Sequence, residues 1–276
     1  MLTYLTFLLL FIGIPLAFLF ILYLKNLRRE KESQKEITRR ILIAIAIVII
    51  IAFIYTTPWD NYLVENAIWY YETSKVMGLV IGFVPIEEYT FFIVQTLLVG
   101  LFFGLVYIRR NPIINNQYGH TLSLRLISSS SLLIIWFVSF FLFIKGIESF
   151  KYLNLILLWG IPPILIQLIY GVDIILRFRR DLVFTISLST LYLSIADAIA
   201  IKIGIWTIST GTSTGFLLLG LLPIEEFIFF LVTNVLITFG LTLILDSESI
   251  KRFNTFYSQV KQRFSKKISG KTGYSN

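Results

Sequence analysis

Two copies of one phrase carry the chemistry legible in this chain: Pro85-Ile86-Glu87-Glu88-Tyr89-Thr90-Phe91-Phe92 and Pro223-Ile224-Glu225-Glu226-Phe227-Ile228-Phe229-Phe230. Each sets adjacent carboxyls inside a long apolar run, an expensive placement that marks a functional site by default. Consecutive residues on a helix diverge by about 100°, so Glu87 and Glu88 cannot both aim at one point. One is expected to face the cavity while the other bonds a neighbouring helix. The preceding proline lacks an N–H, which predicts a helix start or a kink near Pro85. A positive helix end would favour carboxylates and apolar surroundings would favour neutral acids, a balance the sequence leaves open. A neutral glutamic acid is a general acid, and an ionised partner from the other copy could be the base. Phe91, Phe92, Phe229 and Phe230 follow at i+3 to i+5 and share parts of the same faces. Aromatic faces stabilise cations and offer no nucleophile to trap them. An acid among such rings is what a carbocation reaction on a hydrocarbon needs.

The elements that must position these residues are membrane spans. Hydrophobic residues make up 57% of the 276 and mean hydropathy is +0.82, while only 14% of residues are charged. That lies outside the soluble globular range. Runs long enough to cross a hydrocarbon core of about 30 Å predict seven spans, at 4–24, 40–57, 76–108, 122–144, 152–176, 182–205 and 215–245. The third is over-long and the second short. On these bounds the carboxyl pairs fall within their spans, roughly 7 Å outward of the midpoint. The first run lacks a basic leader and a small-residue cleavage site, so it reads as a retained helix. With no cysteines in the chain, disulfides, thiolate metal sites and cysteine nucleophiles are excluded; no Gly-x-Gly-x-x-Gly phosphate cradle follows a strand-like run either, and no cofactor is expected.

The net charge of +8 does not indicate a nucleic-acid partner, because 20 of the 24 lysines and arginines fall on loops of one side. Lys75, Lys145, Lys151 and Lys202 remain for the other. The positive-inside rule then predicts a multi-pass cell-membrane protein with its N-terminus outside and a cytoplasmic, basic, lipid-facing tail.

The chain also repeats. Asp60 precedes Trp69 by nine residues and Asp197 precedes Trp206 by nine; Trp69 precedes Pro85 by 16 and Trp206 precedes Pro223 by 17. Gly82 and Gly220 each stand three residues before their proline, and Gly13-Ile14-Pro15 matches Gly160-Ile161-Pro162. The predicted organisation is a three-helix repeat over 1–108, a loop and linker helix over 109–151, a second three-helix repeat over 152–245 and a basic tail over 246–276. An odd number of spans per repeat needs the linker to restore direction, which makes the repeat parallel, about an axis along the membrane normal.

Other polar residues have plainer readings. Asp60 and Asp197 suit a helix end or water-facing role as well as catalysis, and Trp69 and Trp206, with Trp59, suit an interface belt as well as substrate contact. On a straight helix nine residues put Asp197 and Trp206 on opposite sides. Asp173 pairs naturally with Arg177 one turn on, and His120 reads as a solvated loop residue. Hydrogen bonding between the halves competes with catalysis for the four glutamates. A retinal protein is disfavoured because 215–245 holds no lysine for a Schiff base. A proton-coupled transporter with parallel three-helix repeats is an alternative.

The doubled pattern Asp-x8-Trp, Gly-x2-Pro-Ile-Glu-Glu and Phe-Phe over about 2–245 resembles the carotenoid lycopene cyclase family of the heterodimeric or fused membrane type. The resemblance implies an all-α seven-helix membrane enzyme that closes the linear ends of lycopene to β-ionone rings, through γ-carotene to β-carotene, without net redox change. It implies Glu87, Glu88, Glu225 and Glu226 as acid–base residues, Asp60 and Asp197 as possible supports, and Phe91, Phe92, Phe229, Phe230, Trp69 and Trp206 against the substrate. Membrane lipid and neighbouring carotenoid enzymes are the implied partners. A related hydratase would form the same cation and quench it with water. The first copy departs in its Tyr89-Thr90 and in the polar residues Asn61, Glu65, Asn66 and Glu72.

Overall fold

The computed structural model describes residues 2–29, 32–109 and 121–269; His120 lies outside them. Among the described residues seven helices are long and apolar enough to cross a membrane: Tyr4–Lys25, Lys35–Glu65, Ile86–Arg109, Leu122–Ile144, Glu148–Arg177, Arg179–Lys202 and Ile224–Leu245. In element order these are α1 (Tyr4–Leu8) running through a π-helical turn (Leu9–Gly13) into α2 (Ile14–Arg29), then α3 (Glu32–Glu65), α4 (Ile86–Arg109), α5 (Thr121–Ile144), α6 (Lys151–Arg177), α7 (Arg179–Lys202) and α8 (Ile224–Leu245), with α9 (Ser247–Ser269) following. The protein is an all-α membrane protein with short β ribbons at one end.

The apolar runs 76–108 and 215–245 are not single spans. Each divides into a hairpin and a helix. β2 (Val80–Ile81) pairs with β3 (Val84–Pro85), and β5 (Leu217–Leu218) pairs with β6 (Leu222–Pro223), both antiparallel. The helices begin directly after the prolines, at Ile86 and Ile224. A proline cannot extend a ladder or a preceding helical turn, so it serves as the boundary between the two. Both hairpin turns need left-handed backbone, supplied by Gly82 at φ 66° and by Leu219 and Gly220 at φ 50° and 71°. The first turn holds two residues and the second three, which accounts for the one-residue difference in tryptophan–proline spacing. Apolar hairpin tips give these runs the hydropathy of a helix, and they move the carboxyl pairs from the expected depth to the first helical turn. Glu88 then lies about 15 Å from the midpoint of α4 at 1.5 Å per residue.

A further ribbon joins the segment that follows α3 to the segment that follows α7. β1 (Trp69–Tyr71) pairs antiparallel with β4 (Trp206–Ile208), in the register Trp69↔Ile208, Tyr70↔Thr207 and Tyr71↔Trp206. The segment after β1 closes over the end of α7: Lys75 donates to the Ile203 and Gly204 carbonyls, and the Glu72 amide donates to Ile205. A lysine at a helix C-terminus satisfies both the orphan carbonyls and the helix dipole.

At the opposite end an ion-pair cluster fixes α9. Asp246 caps it, accepting from the Glu248 and Ser249 amides at 3.0 and 3.1 Å. Asp173 accepts from Arg252 at 2.5 Å and from Arg125 at 3.1 Å, so it does not pair with Arg177 as spacing on α6 suggests. Arg177 instead reaches Asp246 at 3.2 Å and Glu248 at 3.1 Å. The forked contact of Arg252 with both Asp173 oxygens is the stronger geometry and outcompetes an intrahelical pair. Hydrogen bonds to charged groups contribute about 1.5–3 kcal/mol. Asp173→Asn is therefore expected to release the start of α9 and raise the rate of tryptic cleavage at Lys251 and Arg252 at least tenfold over the parent chain, measured in detergent micelles.

Candidate active site

The two carboxyl pairs enter one layer from two helix N-termini, and within each pair the roles differ. Glu87 accepts from the Met77 amide at 2.6 Å, and Glu225 accepts from the Thr214 amide at 2.6 Å and the Ser213 hydroxyl at 3.2 Å. These two hold the segments that lead into the hairpins. Glu88 and Glu226, one helical step on, line a shared cavity with Tyr4, Trp69, Tyr71, Phe91, Asp197, Trp206, Phe229 and Phe230. The divergence expected of adjacent helical residues thus separates an anchoring carboxyl from a cavity-facing one in both halves. All four are nearly inaccessible, at 1%, 5%, 0% and 3% exposure for Glu87, Glu88, Glu225 and Glu226, although they stand at helix ends. The β1–β4 ribbon and the hairpins provide that cover.

The cavity-facing carboxyls are met by phenols. Glu88 accepts from Tyr4 at 2.5 Å and from Tyr71 at 3.0 Å through the same oxygen, and Glu226 accepts from Tyr152 at 2.7 Å. Burial, with Glu88 beside it, pushes the Tyr71 phenol well above its ordinary range, so it persists as an O–H donor. Sequence reasoning does not single out these three tyrosines. A signal for two of them exists all the same: Tyr4 stands nine residues before Gly13 and Tyr152 eight before Gly160, matching places in the opening spans of the two halves.

Asp60 and Asp197 are interior residues, at 0% and 3% exposure, which corrects the water-facing reading. The α7 helix ends at Lys202, and the chain turns at Gly204 into β4, bringing Trp206 back over Asp197. Its indole N–H donates to Asp197 at 2.9 Å, so the opposite-sides expectation for a straight helix does not apply. Neither Asp60 oxygen has a hydrogen-bond partner among the described residues. It lies close enough to Glu88 to interact electrostatically.

The rings pack closely around this layer. Trp206 sits 4.9 Å from Tyr4 and edge-on to Phe7, while Trp69 is edge-on to Tyr152 and Phe229. Both indoles point inward and are not belt anchors. Phe91 and Phe230 meet edge-to-face at 6.3 Å. Phe92 is buried off the cavity, edge-on to Tyr89. Two polar residues peculiar to the first copy, Asn61 and Tyr89, pin the first hairpin. Asn61 accepts from the Phe83 amide and donates to Tyr89, whose hydroxyl donates to the Ile81 carbonyl. The remaining cavity is about 20 Å³, room for one water-sized group. No group of residues suited to hold a metal occurs among the described residues.

The fold and this layer define a class: an all-α membrane protein with paired, ring-enclosed carboxyls buried between its helix ends. Over 245 residues the chain is 33% identical to the lycopene beta-cyclase of Halobacterium salinarum, a match covering 87% of this chain and 95% of that protein. It is 38% identical over 208 residues to the bifunctional lycopene cyclase/phytoene synthase of Leptosphaeria maculans and 34% identical over 203 to that of Aspergillus oryzae, covering 71% and 72% of this chain and 35% and 34% of those longer proteins. No family model and no solved structure matches. The chain belongs to the lycopene cyclase family.

Removing an anchoring carboxyl leaves a buried amide without its acceptor, at a cost of about 1–3 kcal/mol. Glu225→Ala is expected to lower Tm in detergent by roughly 3–10 °C, whereas Glu225→Gln, which keeps a carbonyl acceptor for the Thr214 amide, should lose less than half as much.

Proposed function

We propose that this protein is a lycopene beta-cyclase that closes the ends of lycopene by acid–base catalysis, with Glu226 as the acid and Glu88 as the base. The observation that carries the reading is the single cavity in which Glu88 and Glu226, from different helix N-termini, face each other among aromatic rings. Identity to a lycopene beta-cyclase along nearly its whole length supports the same substrate.

The steps balance without a redox partner. Glu226 protonates the terminal carbon–carbon double bond and leaves a tertiary cation. The neighbouring internal alkene attacks that cation, forming the ring bond and shifting the charge into the ring. Glu88 removes the ring proton, and the electron pair of that C–H bond becomes the ring double bond. Two phenols donating into one Glu88 oxygen stabilise a carboxylate there, while Glu226 has one phenol donor. Phe91, Phe229, Phe230, Trp69 and Trp206 stabilise the cation and exclude water that would trap it. Asp60 and Asp197 act as supports, Asp197 through its hold on Trp206. Glu87 and Glu225 position the layer by tying down the approach to each hairpin. A cavity of about 20 Å³ does not hold an isoprenoid end group, so entry requires the rings to part.

The halves 1–108 and 152–245 act as parallel three-helix repeats, joined by the linker in 109–151 and followed by the tail 246–276. The register of the β1–β4 ribbon supports this, because exchanging the two strands by the 137-residue offset, Trp69 for Trp206 and Tyr71 for Ile208, reproduces the same pairing. The acid layer faces the outside of the cell membrane with the N-terminus, and the basic loops and tail face the cytoplasm and its anionic lipids. The substrate comes from, and the product returns to, the bilayer, where other carotenoid enzymes are the expected neighbours.

Expression in a lycopene-accumulating bacterial host, read by chromatography with mass detection, tests the function. The expected product has unchanged mass and a shorter-wavelength spectrum; in D2O each ring formed should carry one deuteron. Unaltered lycopene with the protein present in the membrane would refute the reading. General acid–base groups contribute about 10²–10⁴-fold, so Glu226→Gln and Glu88→Gln should each lose at least a hundredfold. The residual product distinguishes them: Glu226→Gln leaves lycopene unreacted, whereas Glu88→Gln diverts the cation to another alkene isomer or to an adduct one water heavier.

A further inference from the structure

An apolar groove opens laterally where α2, α4 and α7 cross. Its walls include Pro15, Phe18, Leu98, Phe102, Leu188 and Tyr192, and it encloses about 270 Å³. Its head lies close to the acid layer along two helices. Tyr192 stands five residues before Asp197 on α7, and Leu98 seven residues beyond Phe91 on α4, or about 7.5 and 10.5 Å at 1.5 Å per residue. From there the exposed face of α7, through Leu188 and Phe184, continues as a shallower trough of about 720 Å³ that ends at Arg179 and Arg180. An apolar path therefore runs from the acid layer at one end of the bundle to the basic residues at the other.

We infer that this groove holds the polyene tail of the substrate whose end group reacts between Glu88 and Glu226. The inference rests on the cyclase reading and adds where the unreacting part of the molecule lies. A rigid conjugated chain cannot fold back on itself. With one end in a cavity at the helix ends, the rest has to run toward the opposite face of the membrane, and the groove lies along that line. Its walls offer almost no hydrogen-bonding groups, and the Tyr192 hydroxyl is already engaged with the Phe11 carbonyl. That carbonyl belongs to the π-helical turn Leu9–Gly13, so the irregular turn fastens α7 to the first span at the head of the groove. A groove open on its side suits a ligand dissolved in the bilayer, which enters sideways without crossing water.

Among the described residues the corresponding place in the other half is bridged. Where α3, α6 and α8 meet, Tyr55 likewise donates to the Trp159 carbonyl at 2.8 Å, but Gln167 also donates to the Leu236 carbonyl at 3.0 Å and bridges α6 to α8. Gly240 lies against that same Gln167 amide. The tail is thus received by the α2–α4–α7 groove, and the two ends of a symmetric substrate react in turn after it leaves and re-enters reversed.

Contacts to the tail are the same before and during ring closure, so losing them raises KM and leaves kcat in place. Leu188→Trp and Leu98→Trp place an indole in the groove; Ile134→Trp, on the exposed face of α5, is the control. With lycopene titrated as a mole fraction of lipid in proteoliposomes, the two groove variants are expected to raise KM at least tenfold with kcat within twofold, and the control to leave both within twofold. An unchanged KM in Leu188→Trp, or a fall in kcat with KM unchanged in both groove variants, overturns the proposal. The first of these is also the outcome if the groove merely holds an acyl chain of the bilayer. An inactive parent chain would instead refute the cyclase reading.

Discussion

Carboxyl groups buried in hydrocarbon dictate most of this structure. An ionisable side chain in that medium is costly unless donors meet it, and donors meet all four glutamates and Asp197, though not Asp60. Here the donors come from irregular backbone at one end of the bundle. The Met77 and Thr214 amides, which approach the hairpins, bond Glu87 and Glu225 and put the pairs in the first turns of α4 and α8. Unpaired amides of a helix start face a carboxyl far better than a mid-helix would. Non-helical backbone at membrane depth needs burial or partners of its own. The Lys75 contacts with the end of α7, the Asn61–Tyr89 pin and the β1–β4 ribbon provide them.

The same constraint separates roles that identical side chains could otherwise share. In each half the anchoring glutamate spends its first oxygen on a backbone amide, and the neighbouring glutamate, turned by one residue, meets phenols. A phenol is a suitable partner because it donates to a carboxylate while remaining neutral, and its ring is compatible with a hydrocarbon substrate. Tryptophan serves likewise at Asp197, where the indole supplies one donor and leaves a π face to the cavity. The side chains that donate hydrogen bonds to the carboxyls are thus also among the rings that line the cavity.

Much of this is legible in the residues alone. Seven spans, the two Glu-Glu phrases, the Asp–Trp spacing and a helix start at Pro85 follow from composition and short-range rules, because the physics behind them acts within a few residues. Depth does not follow. An apolar strand tip such as Leu217–Leu218 and an apolar helix look alike to a hydropathy window, so the runs 76–108 and 215–245 conceal their hairpins. Nine residues put Trp206 opposite Asp197 only on a continuous helix, and the break after Lys202 reverses that. The phenols on Glu88 and Glu226 are long-range contacts, 84 and 74 residues distant for Tyr4 and Tyr152. Nothing in a single sequence states such pairings, and only the matched positions of the two tyrosines hint at them.

The two halves share one layer but not one chemistry. Glu88 receives two phenols and Glu226 one, because the β4 residue 137 positions on from Tyr71 is Ile208, which has no hydroxyl to donate. The ribbon is symmetric in backbone and asymmetric in side chains, and that single exchange gives the two carboxyls unequal hydrogen bonding. Acid–base catalysis between like groups depends on such inequality, since one must begin protonated and the other ionised. The difference between Tyr71 in β1 and Ile208 in β4 distinguishes the surroundings of Glu88 and Glu226 without a further charge in the layer.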